Sequence, residues 1–147
     1  MKETVKKLNA WYYGIMALAI GVAVLFYLLI IKDVLTPLSP LSTLSQAVQY
    51  VIIFDVLITV PLGLYLHKRR CNTIALMEDD TLRYAAYYKS ARTRILLVSN
   101  AMIPAIAAFY WMGAYQSMLW IAAIAAIGWY FTKPTERKME LELTLTT

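Results

Sequence analysis

The run Ala10–Ile31 constrains this chain more than any other stretch. It holds 22 residues without a charge, enough to cross a hydrocarbon core of about 30 Å as one helix. A signal peptide has a shorter apolar region, about 7–15 residues, followed by a small-residue cleavage site. This run ends in Ile30-Ile31-Lys32-Asp33, a poor cleavage site, so it reads as a retained helix. The composition agrees. Of 147 residues, 61% are hydrophobic and 16% charged, against about 45–50% apolar in soluble domains. A disordered chain, a collagen and an ordinary soluble enzyme domain are excluded.

Three further apolar segments follow. The spans expected are about 10–31, 44–66, 95–115 and 117–131. The fold class expected is therefore all-α, an integral membrane four-helix bundle in a single domain. The connection 32–43 contains Pro37 and Pro40, which forbid a continuous helix there. The uncharged stretch Met112–Ser117 reads as the turn of a helical hairpin. The fourth span is short and calls for a thin bilayer, borrowed neighbours or tight pairing with the third.

Basic residues set the expected orientation. Lys2, Lys6 and Lys7 precede the first span. Lys68, Arg69, Arg70, Arg83, Lys89, Arg92 and Arg94 lie between the second and third. Lys133, Arg137 and Lys138 follow the fourth. Only Lys32 falls on the other side. Both termini and the 67–94 connection are expected in the cytoplasm. That connection has no Gly or Pro. It predicts two helical arms meeting near Glu78–Thr81, with Asp80 or Thr81 as N-cap. The tail 132–147 reads as one or two surface turns, a frayed end, or a strand on the alternation Leu141, Leu143, Leu145.

Candidate functional residues are few. Asp55 stands at the middle of the second span, where a carboxylate costs about 2.5–3.5 kcal/mol on insertion scales. It is a candidate proton or cation site, or an acid that hydrogen-bonds Thr59 one turn along. Gln49 and Asn100 add polar groups to the spans. Asn100 and Asp55 lie at different depths, which speaks against a direct pair. Pro61 and Pro104 remove helix hydrogen bonds and are expected to kink their spans. Such kinks most often only shape a bundle.

Small residues recur at helical spacing: Ala10, Gly14, Ala17 and Gly21 in span one, and Ala101, Ala105 and Ala108 in span three. Ala122, Ala125, Ala126 and Gly128 crowd span four. They allow close helix approach. Packing inside one chain is the expectation for most of them; an oligomer face is the alternative for span one. Trp11, Tyr12 and Tyr13, then Trp129 and Tyr130, fit an aromatic belt on the cytoplasmic side. Trp111, Tyr115 and Trp120 fit the other.

His67 is expected at headgroup level beside Lys68, Arg69 and Arg70, with Arg92 and Arg94 as further headgroup contacts. Cys71, next to three cations, is expected to have a lowered pKa. One cysteine and one histidine exclude a disulfide framework, a multi-cysteine metal site and a bis-His haem within one chain. No catalytic residue, metal or cofactor is expected. No nucleic-acid motif is present, so the net charge of +5 is assigned to anionic lipid headgroups.

The C-terminal half resembles a family. A basic helix runs into an apolar hairpin, closed by Phe131-Thr132-Lys133-Pro134-Thr135-Glu136-Arg137-Lys138 and the tail Met139-Glu140-Leu141-Glu142-Leu143. This is similar to small four-span inner-membrane proteins of Bacteroidota-type bacteria, over roughly residues 89–143. The resemblance implies a bacterial cytoplasmic membrane and transfers no activity. The function expected is a non-enzymatic accessory or structural subunit acting through its helices, as a homo-oligomer or in a larger membrane complex. The alternative is a small oligomeric transporter or channel using Asp55.

Overall fold

The computed structural model describes residues 1–144 and is all-helical over them. The helices are α1 (Lys2–Ile31), α2 (Thr43–Ile74), α3 (Asp80–Trp111), α4 (Gln116–Tyr130) and α5 (Glu136–Thr144). The first three are long and apolar enough to cross a membrane. α4 has 15 residues, about 22 Å at 1.5 Å per residue.

Local chemistry sets the boundaries. The Ser45 N–H donates to the Ser42 hydroxyl at the start of α2. At the start of α3 the cap is Asp79, whose carboxylate accepts from the Thr81 and Leu82 N–H groups at 2.8 and 3.4 Å. The expected cap at Asp80 or Thr81 is thus one or two residues late. Thr135 caps α5 after Pro134, accepting from the Lys138 N–H. α1 ends where Asp33 turns left-handed, φ 56°. The α3–α4 corner turns on Gly113 and Ala114, φ 68° and 61°. The first of these is the residue type that tolerates such a φ without strain.

α3 is the centre of the bundle and packs against α1, α2 and α4. Its fully buried stripe is Ala91, Ile95, Val98, Ala101 and Ala105, spaced for one helix face. α1 buries Val5, Leu8, Tyr12, Ile15 and Ala19 and nothing beyond. Its Tyr12 ring stacks on Trp129 with centroids 4.0 Å apart, so Trp129 is a core residue and not part of an aromatic belt. Where α2 meets α4, a Cβ built on Gly128 would stand 2.5 Å from Val60 Cγ1. A glycine is what allows these helices so close.

Several expectations change. α1 begins at Lys2, not near residue 10, and its first turns lie beside α3, where the Trp11 indole N–H donates to the Tyr88 hydroxyl. α2 and α3 do run through 67–94 as two arms, but the hairpin is flanked by α1 and α5 instead of standing free. The tail is helical and docked: Met139 and Leu143 are buried, one turn apart on α5. The strand reading fails for this segment, and Leu145 lies outside the described residues. Ala101, Ala105, Ala108, Ala125 and Gly128 pack inside the chain as expected. Ala10, Gly14, Ala17, Gly21 and Ala126 do not; all five are exposed.

At the opposite end the 32–42 connection is tied down. The Leu38 N–H donates to the Trp111 carbonyl at 2.8 Å, and the Trp111 indole N–H to the Thr36 carbonyl.

Candidate functional site

The most concentrated chemistry lies at the end of the bundle where α2, α3 and α5 meet. His67 and Cys71 are four residues apart on α2 and share one buried face. Tyr87, Ser90 and Arg94 fall at i, i+3 and i+7 on α3, also buried. Met139 and Leu143 are buried where α5 packs beside α2 and α1, and Glu142 on α5 reaches Tyr87, His67 and Arg94.

Glu142 collects three donors from two helices. The Tyr87 hydroxyl donates to Oε2 at 2.5 Å. His67 Nε2 lies 3.0 Å from the same oxygen. Arg94 Nη1 donates to Oε1 at 3.0 Å. With Glu142 ionised, Nε2–H donates to it, and Nδ1 accepts from the Ser90 hydroxyl 2.9 Å away. Cys71 Sγ also faces Nε2, at 3.3 Å. Arg94 is only 4% exposed. Its Nε and Nη2 are buried without a hydrogen-bond partner among the described residues.

Burial alone would raise the Glu142 carboxyl. The His67 hydrogen bond, the Arg94 charge and the Tyr87 hydrogen bond overcome it and hold the group at about 2. Burial lowers the His67 imidazole; the Glu142 hydrogen bond opposes this and the Arg94 charge adds to it. The core therefore holds one carboxylate, one guanidinium and a neutral imidazole near neutral pH. For Cys71, burial and then the Glu142 charge push the thiol up to about 12, the reverse of the lowered value expected from the neighbouring cations. A half-open cavity of about 390 Å³ reaches the cluster past Lys68, Asn72 and Phe131.

The residues singled out from sequence fare differently. Asp55 is half-buried and accepts from the Thr59 hydroxyl at 2.7 Å, the local alternative weighed for it. Among the described residues it has no other hydrogen-bond partner. Asn100 is exposed on α3, and no contact brings it to Asp55. Gln49 donates to the Pro40 carbonyl and the Ser45 hydroxyl, both at 3.2 Å, which ties α2 to the preceding connection. Pro61 and Pro104 lie exposed within continuous helices.

Lys68, Arg69 and Arg70 are exposed. Arg92 stacks over Trp11 and Tyr88, 5.7 Å from each ring centre. Arg94 is corrected outright: it is a core residue, because Glu142 offers it a buried counter-charge. His67 is corrected too: its imidazole is buried, with Ser90 at one ring nitrogen and Glu142 at the other. The i, i+4 pair His67/Cys71 and the Tyr87–Ser90–Arg94 face were the available signals for this site. Comparison with family models, with curated proteins and with solved structures gives no match for the chain.

Proposed function

We propose a four-span protein of a bacterial cytoplasmic membrane, with both termini in the cytoplasm and a non-enzymatic role carried by helix association. It serves as an accessory or structural subunit, as a homo-oligomer or in a larger complex. The observation that carries this reading is the outer face of α1. Ala10, Gly14, Ala17 and Gly21 are exposed there, and a Cβ built on either glycine meets nothing within 4 Å. Small residues that no helix of the same chain uses suit close packing by a helix of another.

The topology rests on two supports. The basic residues number thirteen on one side and one, Lys32, on the other. The contacts Trp11–Tyr88, Arg94–Glu142 and Tyr12–Trp129 gather the start of α1, the α2–α3 arms and the end of α4 at one end of the bundle. The transporter alternative rests on Asp55, whose hydrogen bond among the described residues comes from Thr59 on the same helix.

Gly14→Leu combined with Gly21→Leu tests the association. Cross-linking of the protein in native membranes is expected to show an assembly in the wild type. In the double variant that assembly weakens by about tenfold or more, the loss of a close helix contact worth roughly 1–2 kcal/mol. A monomeric wild type, or an assembly indifferent to both leucines, contradicts the proposal.

A further inference from the structure

We propose that His67, Cys71 and Glu142 form a binding site for one divalent ion of the zinc class. Their ligand atoms, Nε2, Sγ and a carboxylate oxygen, all lie within 4.8 Å of one another. Nε2 is the hub, 3.3 Å from Cys71 Sγ and 3.0 Å from Glu142 Oε2. A tetrahedral ion with bonds of about 2.0–2.3 Å sets its ligands roughly 3.4–3.6 Å apart. The two pairs at Nε2 reach that spacing by moving a few tenths of an ångström, and the thiol and carboxylate, within 4.8 Å of each other, close on the ion as it binds.

The direction of the imidazole favours an ion over a catalytic relay. In a Cys–His–acid relay the base faces the nucleophile with one nitrogen and the orienting acid with the other. Here the thiol and the acid face the same nitrogen. Nδ1 is instead held by the Ser90 hydroxyl at 2.9 Å. That is the arrangement of a metal-ligating histidine, whose second nitrogen is fixed by an outer hydrogen bond. Tyr87 and Arg94 fix the acid in the same way.

Sulfur, imidazole and carboxylate together suit zinc and its neighbours rather than calcium or magnesium, which take oxygen ligands. Two side chains lie one turn apart on α2, and the third comes from α5. The adjoining cavity of about 390 Å³ supplies an approach and room for a fourth ligand such as water. Binding releases one proton, from the Cys71 thiol. His67 stays neutral by changing tautomer: its proton moves from Nε2 to Nδ1, which then donates to the Ser90 hydroxyl, and Nε2 is freed for the ion. The thiolate and carboxylate balance the two charges of the ion, while Arg94 and Lys138 oppose it and moderate the affinity.

Cobalt(II) is the probe. The whole protein is stripped of metal in detergent and titrated with Co²⁺. The expected result is one ion per chain, with a sulfur-to-cobalt charge-transfer band that Zn²⁺ abolishes. Cys71→Ser removes the band and weakens Zn²⁺ binding by at least about tenfold; Ser90→Ala, which spares the ligands, weakens it by about 10–100-fold. Should Cys71→Ser lose its helical signal, the wild type decides, because bound Zn²⁺ slows alkylation of its only thiol. Folded wild type without a sulfur-to-cobalt band overturns the proposal. So does a band that survives in Cys71→Ser, or Zn²⁺ that leaves the alkylation rate unchanged. Binding that depends instead on the exposed acids Glu78, Asp79 and Asp80 also overturns it.

Discussion

Two acids of this chain, Asp55 and Glu142, show how little sequence position alone says about a carboxylate. Asp55 sits in the middle of an apolar helix, where its charge is expensive. Its partner is Thr59, one turn away on the same helix, and among the described residues no hydrogen bond joins it to a second segment. Glu142 sits in a polar tail that looks dispensable. It gathers His67, Tyr87 and Arg94, separated from it by 75, 55 and 48 residues, and so ties the tail to both arms of the α2–α3 hairpin. An acid shapes a fold through donors that converge on it from separate segments.

The largest effect should therefore come from Glu142. Replacing it with Leu strands the buried Arg94 guanidinium, which already has two unpartnered nitrogens. Breaking a buried pair in this way costs about 3–5 kcal/mol. Thermal unfolding in detergent is expected to show that loss, together with new proteolysis at Arg137 and Lys138. A stable, protected tail in Glu142→Leu would put the two acids on one footing.

Gly128→Ala is a control of intermediate size at the α2–α4 contact. The new methyl collides with Val60 Cγ1, and overpacking of this kind costs about 1–3 kcal/mol. Val60→Ala in the same chain should recover most of it. Failure of that rescue would mean the two helices are held apart by something other than this contact.

Acid sharpens the comparison further. The folded Glu142 carboxyl titrates at about 2, below its ordinary 4.5. Its contribution is complete above the ordinary value and drains away as pH falls through that interval toward 2. Protection of the tail against an acid-active protease, followed in a metal-free sample, should decline over that window in the wild type. In Glu142→Gln the dependence on this group should be absent.

The smallest effects belong to Asp55. Asp55→Asn keeps a hydrogen-bonding group beside Thr59 and should change stability by less than about 0.5 kcal/mol. Asp55→Leu should lose about 0.6–2 kcal/mol. Proton flux in proteoliposomes that is present in the wild type and lost in Asn would revive the transporter reading.

Much of the fold was legible in the sequence. The uncharged run 10–31 and the apolar stretches after Thr43 and Arg94 announce α1, α2 and α3. The absence of Gly and Pro from 67–94 announces the continuous arms. The tail was legible only in part: helical turns are one of three readings, and Glu-Leu-Glu-Leu also alternates like a strand. Its helical character shows only in the pair Met139/Leu143, whose burial is supplied by helices far away in sequence. Arg94 and His67 read as headgroup contacts for the same reason: a charge beside a span points to lipid until a buried partner is known. The small residues of α1 admit two readings, because spacing marks them without saying which side they face.

Through the bond from the Arg94 guanidinium to the Glu142 carboxylate, these two residues act as one unit that closes this end of the bundle. A double-mutant cycle with Arg94→Met and Glu142→Leu, read by thermal unfolding of the detergent-solubilised protein, tests it most directly. The double variant should be less destabilised than the two single losses added together, by about 2–3 kcal/mol, because each single change leaves a buried charge alone. Losses that add to within about 0.5 kcal/mol would contradict the claim.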